Sequence, residues 1–487
     1  MKSIKSATGD MTGMPNHLEN PPPGKETVKK EKKGKVPHIY VILFLMTALV
    51  SLASYVIPAG QFERVEGPTG AQIIQPGTFS FIEATPVSFF DFLLAIPKGL
   101  IEASEIVFGT LMIGGMFGVI SRTGIIDLGV NKLAHRFSDK GIWIIPLLMV
   151  PFAIFTTFTG QVELSLVYLP IVLPLILRLG FDKITAAAIV LISTIAGFGV
   201  ALTAPANLGV AQRVAEVPLY SGMGLRSVLL TIILLTGIVY VWRHAKKVQA
   251  NPVLAKNEQQ QLAAKQTQVP KASKRQLIAS VALLLLLGVM IYGMIVYKWY
   301  FLQLSGLYIL IAVTVGLIAG LSSSQISEGF TEGFQNILVG ALIIGIARGI
   351  SVALNDGNIL DTIVYGISEL LNAVPEPVTA VFMLLVQGLF NFLVPSGSGQ
   401  ALITMPIMTG LADLAGVTRQ TAVLAFQLGD GFSNIFYPTS GYFMATLALG
   451  GIRWEKWIRF ILPLLILWYT VGAIFLVIAQ LMNWGPI

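Results

Sequence analysis

Residues Gln427–Gly441 read QLGDGFSNIFYPTSG and lie inside an apolar run long enough to cross a bilayer. The stretch nonetheless carries Asp430, Asn434, Pro438, Thr439, Ser440 and three glycines. A lipid-facing helix does not tolerate that composition, because each charge or freed backbone group in hydrocarbon costs several kcal/mol unless protein or water satisfies it. Pro438 among small polar residues breaks the helix in mid-membrane and leaves backbone groups free to hold an ion or a small solute. The plainer alternative is a proline kink in a packed helix, with Asp430 neutral or paired.

A second stretch argues against the plainer alternative. Gly197–Gly209 reads GFGVALTAPANLG, apolar and then interrupted at Thr203, Pro205 and Asn207. Each interrupted stretch follows a related run, LGFDKITAAAIV from Leu179 and AGVTRQTAVLAF from Ala415, so Gly180 answers Gly416 and Thr185 answers Thr421. Upstream of each run lies a Gly-rich polar patch ending in proline: FTGQVELSLVYLP to Pro170 and VPSGSGQALITMP to Pro406. The chain therefore contains an internal repeat. Interrupted apolar segments at matching positions of two halves point to the binding site of a secondary transporter.

Composition sets the class. With 54% hydrophobic and only 12% charged residues, and a mean hydropathy of +0.76, the 487-residue chain is a polytopic helical membrane protein. The absence of cysteine excludes disulfides, thiolate metal sites and cysteine catalysis. The net charge of +7 is concentrated in two polar segments and reports topology, not nucleic-acid binding.

Those segments are the Pro- and Lys-rich tail 1–36, expected to be disordered, and the linker 243–275, where eight Lys and Arg face one acid, Glu258. Both are expected in the cytoplasm. The expected order from there is a span over Ile39–Ile57, an outer loop to Pro86 and an amphipathic piece over Phe89–Ala103. A span over Glu105–Ile120 follows, then a re-entrant hairpin over about 141–177 with its tip at Thr159–Glu163. The first broken helix covers about 184–212 and a span over Leu225–Trp242 completes a first repeat, 37–242.

An added span over 276–302 precedes the second repeat, 303–487, in inverted orientation. It comprises spans over Leu304–Leu321 and Ile337–Leu354, an acidic outer loop over Asn355–Pro377 and a hairpin over about 378–416. A broken helix over about 419–441 and a last span over Ile461–Met482 end the chain outside. Roughly nine spans and two hairpins result. Arg348 is the one basic residue well inside an expected span, and a scaffold pairing or a snorkelling arginine is favoured over a substrate contact.

The hairpins, GVTRQTAVLAF and NIFYPTSGYFMATLALGGI resemble the YfcC and DcuC-like carrier family of the ion-transporter superfamily, over nearly the whole membrane part. The resemblance implies an elevator-type secondary carrier of the cytoplasmic membrane, usually a homodimer, with a scaffold and a moving transport domain. It places substrate and coupling ion at Thr159, Gly160, Gln161 and Glu163, at Pro205 and Asn207, and at Ser396, Gly397, Ser398 and Gln400. It adds Asp430, Asn434, Pro438, Thr439 and Ser440. Relatives often carry two adjacent glutamates after the first-hairpin glycine, whereas here Glu163 is followed by Leu164.

The residue types suit those roles. Helix N-termini at hairpin tips attract carboxylates, and Glu163 and Asp430 suit a proton, a sodium ion or an amine, with Asn207 and Asn434 as further oxygen donors. No catalytic residue and no cofactor beyond Na+ or H+ is expected. All four histidines, His17, His38, His135 and His244, fall in tails or loop edges, so a serine protease lacks its base. QLGD lacks the first glycine of an intramembrane aspartyl-protease signature, and no P-loop is present. A channel fits paired hairpins less well than alternating access does.

Neither hairpin nor the broken stretches Ile184–Gln212 and Gln420–Gly451 hold Lys or Arg, yet together they hold Glu163 and Asp430. That favours a basic amino acid such as arginine or ornithine, by exchange or cation coupling. The alternative is a dicarboxylate, with the acids serving sodium or proton coupling.

Overall fold

A computed structural model describes residues 39–66, 72–137, 140–251, 273–297, 299, 301–372 and 376–485. The expected disordered tail and most of the basic linker lie outside them. The helices are α1 Ile39–Ala53, α2 Phe89–Glu102, α3 Ser104–Arg122, α4 Ile125–Arg136, α5 Ile144–Thr159 and α6 Ser165–Arg178. Next come α7 Lys183–Gly199, α8 Val210–Val214, α9 Met223–Ala250, α10 Lys274–Val296, α11 Phe301–Ala319 and α12 Ser323–Asp356. The chain continues with α13 Leu360–Asn372, α14 Glu376–Leu393, α15 Gly397–Leu414, α16 Arg419–Ser433, α17 Gly441–Leu449 and α18 Trp454–Leu481.

Among the described residues, seven helices are long and apolar enough to cross a membrane, and α1, α7 and α14 supply shorter apolar helices. This is fewer than the roughly nine spans read from hydropathy, because apolar runs continue past the points where the backbone turns. The run from Ile39 to Ile57 keeps helix only to Ala53, and α7 stops at its break after Gly199.

The opposite error occurs at Ser322. Hydropathy puts a loop before Ile337, but one 34-residue helix starts at a capping box in which Ser322 and Gln325 bond each other's backbone N–H. Its polar first turns carry Glu328 and Glu332, which grip Arg122 of α3. The loop expected outside contains regular structure. Gly60–Gln61 pairs with Ser80–Phe81 and Arg64–Glu66 with Gln72–Ile74, two antiparallel ribbons pinned to α13 through Asp361, which accepts from Phe62 N at 3.0 Å and from Arg64 at 3.0 Å.

Two apolar cores organise the helices. The smaller unites α3, α10, α11 and part of α12; the larger unites α5, α6, α7, α9, α14, α15, α16 and α18 with the rest of α12. Along α12, α2 and α3 lie so close that a Cβ on Gly118 would stand 2.1 Å from Gly329 O. In the larger group α5 and α6 flank α7, α14 and α15 flank α16, and α7 meets α16 where Gly199 touches Gly431.

The repeat seen in the sequence is a repeat of chain geometry. Gly180 and Gly416 both adopt left-handed backbone, with φ of 90° and 67°, and end α6 and α15. The residue after each closes the same turn: Phe181 N donates to Ile176 O at 3.1 Å and Val417 N to Ala412 O at 2.8 Å. Asp182 and Thr418 then cap the next helices, accepting from Thr185 N and Thr421 N.

Candidate functional site

Both broken helices owe their interruptions to proline, and each break has its own seal. In the first, residues 200–204 leave the helix before a wide turn over Pro205–Gly209. Thr157 at the end of α5 covers it: its Oγ1 donates to Val200 O at 3.1 Å, and its carbonyl accepts from Leu202 N at 3.0 Å. Gln427 of α16 covers the other side, its Nε2 donating to Phe198 O at 3.3 Å and Ala201 O at 3.4 Å. In the second break, residues 434–440, the indoles of Trp454 and Trp457 donate to Phe436 O at 3.1 Å and Ile435 O at 2.9 Å. Freed backbone is thus satisfied by protein, as the bilayer interior requires.

The breaks meet at Asp430. This carboxylate is fully buried, and no Lys, Arg or His pairs with it among the described residues. Asn207 Nδ2 donates to Asp430 Oδ2 at 2.8 Å, joining the two halves. Asn434 Nδ2 donates to Asp430 O at 2.8 Å and approaches Oδ1 at 3.4 Å, and Ser440 Oγ donates to Asn434 Oδ1 at 3.1 Å. Asn391 from α14 closes the cluster on Asp430 O at 3.2 Å and Ser433 Oγ at 2.7 Å. Asn207 Oδ1 and Thr439 Oγ1 are buried with no hydrogen-bond partner among the described residues. With Asp430 they form an oxygen-rich set chemically suited to a hard cation or a proton.

Above this cluster lies a cavity of about 1170 Å³. Thr159, Gly160, Gln161, Glu163, Pro205, Asn207, Ser396, Gly397, Ser398, Asn434 and Thr439 line it. Asp430, Gln400, Pro438 and Ser440 sit behind the wall. Gln400 holds the second hairpin together, donating to Gln387 O at 2.9 Å and Oε1 at 2.7 Å. Gly160 has a φ of 72°, and a Cβ there would stand 2.7 Å from Ala204 Cβ, so the first hairpin tip rests directly on the first break. The tip's Gln161 donates to Trp299 O at 3.3 Å, and Glu163 lines both the large cavity and a small pocket with Tyr308 of α11. Glu163 therefore faces α11, while Asn207, Asp430 and Asn434 are drawn together by hydrogen bonds.

Sequence reasoning missed several residues. Arg348 pairs with Glu102 at 2.9 Å, and both line the cavity, so the wall has a fixed cation after all. Tyr220 and Tyr442 line it too. Arg226, at the start of the expected span Leu225–Trp242 and not singled out there, is buried completely in α9, hydrogen-bonded to Gln427 and 5.6 Å from the Trp484 ring. The signal was an arginine followed at once by an unbroken apolar run, SVLLTIILL.

The profile of the family described as "DcuC: C4-dicarboxylate anaerobic carrier" matches residues 36–481. The chain belongs to the DcuC family. It is a multi-pass membrane carrier and not an enzyme. This DcuC-family carrier is 33% identical, over 94% of its own length and 98% of the relative's, to the Escherichia coli K12 protein named "Putative basic amino acid antiporter YfcC". An uncharacterised protein of Haemophilus influenzae Rd is 27% identical over 92% and 98% of the two chains. Among solved structures, the carrier resembles the YdaH transporter of Alcanivorax borkumensis at 16% identity and a TM-score of 0.41, over 92% and 100% of the chains. It resembles MtrF of Neisseria gonorrhoeae at 17% identity and 0.42, over 91% and 95%.

Proposed function

We propose that this carrier moves a basic amino acid such as arginine or ornithine across the cytoplasmic membrane, by exchange or with sodium or proton coupling. The observation that carries the reading is the charge of the site: Glu102 and Glu163 on the cavity wall and Asp430 behind it, against one guanidinium, Arg348. A solute with two cationic groups and one carboxylate balances the wall, whereas a dicarboxylate meets mostly like charge. The name borne by the Escherichia coli relative points the same way. In this reading Asp430, Asn207, Asn434 and Thr439 hold the coupling cation or proton, and the N-terminus of α15 at Gly397 and Ser398 contributes backbone donors.

We further read α1–α3 and α10–α12 as a scaffold, and the hairpins with the broken helices as the moving transport domain of an inverted-repeat, elevator-type homodimer. The gathering of α3, α10 and α11 into a smaller apolar core supports this, with Leu164, Leu166, Val167 and Ala445 reaching it from the hairpin and broken helix and α12 contributing to both cores. The N-terminus is then cytoplasmic and the C-terminus outside. The test is a thermal-shift screen of the detergent-purified chain against amino acids and dicarboxylates, each with and without sodium. Stabilisation by arginine, ornithine or lysine is the expected result. Stabilisation by a dicarboxylate alone, and only with sodium, would overturn the substrate reading and favour a dicarboxylate carrier.

A further inference from the structure

Three sets of ion pairs run along the seam between α2–α3 and α12. Lys98 meets Asp356 at 2.6 Å near one end of α12, and Arg122 meets Glu328 at 2.8 Å and Glu332 at 2.5 Å near the other. Between them Arg348 Nε meets Glu102 Oε2 at 2.9 Å. Of these three sets, only Glu102 and Arg348 line the cavity.

That pair is not needed to hold the seam. A Cβ on Gly99 would stand 2.5 Å from Gly349 N and 2.6 Å from Gly345 O, so α2 and α12 touch backbone to backbone within a turn of both side chains. Close glycine packing fixes where the pair stands, and a half-exposed ion pair adds little further stability. The pair also leaves binding capacity unspent. Arg348 uses only Nε on Glu102, its terminal nitrogens have no partner among the described residues, and the two side chains remain 36% and 41% exposed.

We infer that Glu102 and Arg348 form a docking subsite for an amino-acid head group. The substrate's α-carboxylate takes the terminal nitrogens of Arg348 in the two-pronged geometry that guanidinium favours, and its α-ammonium takes Glu102. The side-chain cation is then left for Glu163 on the hairpin tip. This rests on the basic-amino-acid reading and assigns each of the three charges of such a substrate to one of the three charged side chains of the cavity wall. It also puts two of the three charged contacts on α2 and α12, outside the hairpins and broken helices that the sequence motifs mark.

The test compares arginine with two analogues, its decarboxylated amine agmatine and its deaminated acid 5-guanidinopentanoate, by calorimetric binding to the full chain in detergent. Wild type is expected to bind arginine roughly tenfold or more tighter than either analogue. In Arg348→Gln, arginine should weaken to the level of agmatine while agmatine itself is unchanged. In Glu102→Gln, arginine should weaken to the level of 5-guanidinopentanoate, an independent arm if Arg348→Gln fails to fold. Equal weakening of arginine and analogue in both variants would make the pair structural and overturn the subsite. Wild type binding arginine no better than agmatine would overturn the subsite while leaving the substrate reading intact. Wild type binding no basic amino acid at all would overturn both.

Discussion

The two helix breaks are built from the same covalent device and finished differently. At 200–209 the freed backbone is covered by polar side chains, Thr157 from the first hairpin and Gln427 from the opposite repeat, with Gln427 held by buried Arg226. At 434–440 it is covered by two tryptophans of α18, and Trp457 is fully buried. The first seal is made by the hairpin whose tip lines the cavity; the second is part of the apolar core. On that difference, the first break is expected to respond to what occupies the cavity, and the second to stay a fixed floor beside Asp430.

The strongest way to break this comparison uses a buried position where the repeats diverge chemically. Asp430 lies nine residues after Thr421, and the residue nine after the matching Thr185 is Thr194, which among the described residues bonds only its own helix, at Val190 O and Leu191 O. Hydrogen bonds to a charged group are worth about 1.5–3 kcal/mol, so Asp430→Asn should cut transport into proteoliposomes roughly ten- to hundredfold. Thr194→Val should stay within about twofold, since such back-bonding contributes little to a helix. Equal effects of the two substitutions would mean that the second break carries no special chemistry.

A smaller effect separates the seals themselves. Trp457→Phe leaves Ile435 O without its donor and should lower stability in detergent by about 1–3 kcal/mol, equally with and without substrate. Thr157→Val should cost about 1 kcal/mol, because Leu202 N keeps its bond to the Thr157 carbonyl. It should also reduce the melting-temperature rise that substrate produces. If Trp457→Phe alone altered that rise, the assignment of fixed and responsive breaks would be reversed.

A last effect, of similar size, concerns the caps before the breaks. Asp182 and Thr418 occupy the same position, but only Asp182 ionises. It lies in the loop between α6 and α7, outside the spanning segments, where His244 reaches it at 3.2 Å. Burial pushes its carboxyl up, yet the bond and charge of His244 and the bonds from Thr185 outweigh burial and hold it below the ordinary aspartate value. A depressed carboxylate adds stability that is present above its unfolded pKa and lost as pH falls through its folded one. Asp182→Ala should therefore cost about 1–2 kcal/mol at neutral pH. The gap to wild type should close in melts taken below about pH 4. Thr418→Ala should cost about 1 kcal/mol at either pH. A parallel pH dependence in both variants would show that the difference between the caps has no electrostatic part.

What the sequence determined by itself follows from local rules that hydrocarbon enforces. A proline among small polar residues inside an apolar run must break a helix and must be covered, so both breaks were legible from Pro205 and Pro438 alone. A glycine before a capping residue marks a helix end, so the repeat was legible at Gly180 and Gly416. The bond between Asn207 and Asp430, 223 residues apart, and the indoles that seal the second break depend on which helices pack together, and no local pattern encodes that. The same holds for Arg348. Its place in an apolar run was plain, but only the glycine contacts between α2 and α12 bring Glu102 beside it and turn both toward the cavity. Covalent neighbours and the bilayer fix where a helix stops; which side chains then share one cavity is decided by close packing between distant segments.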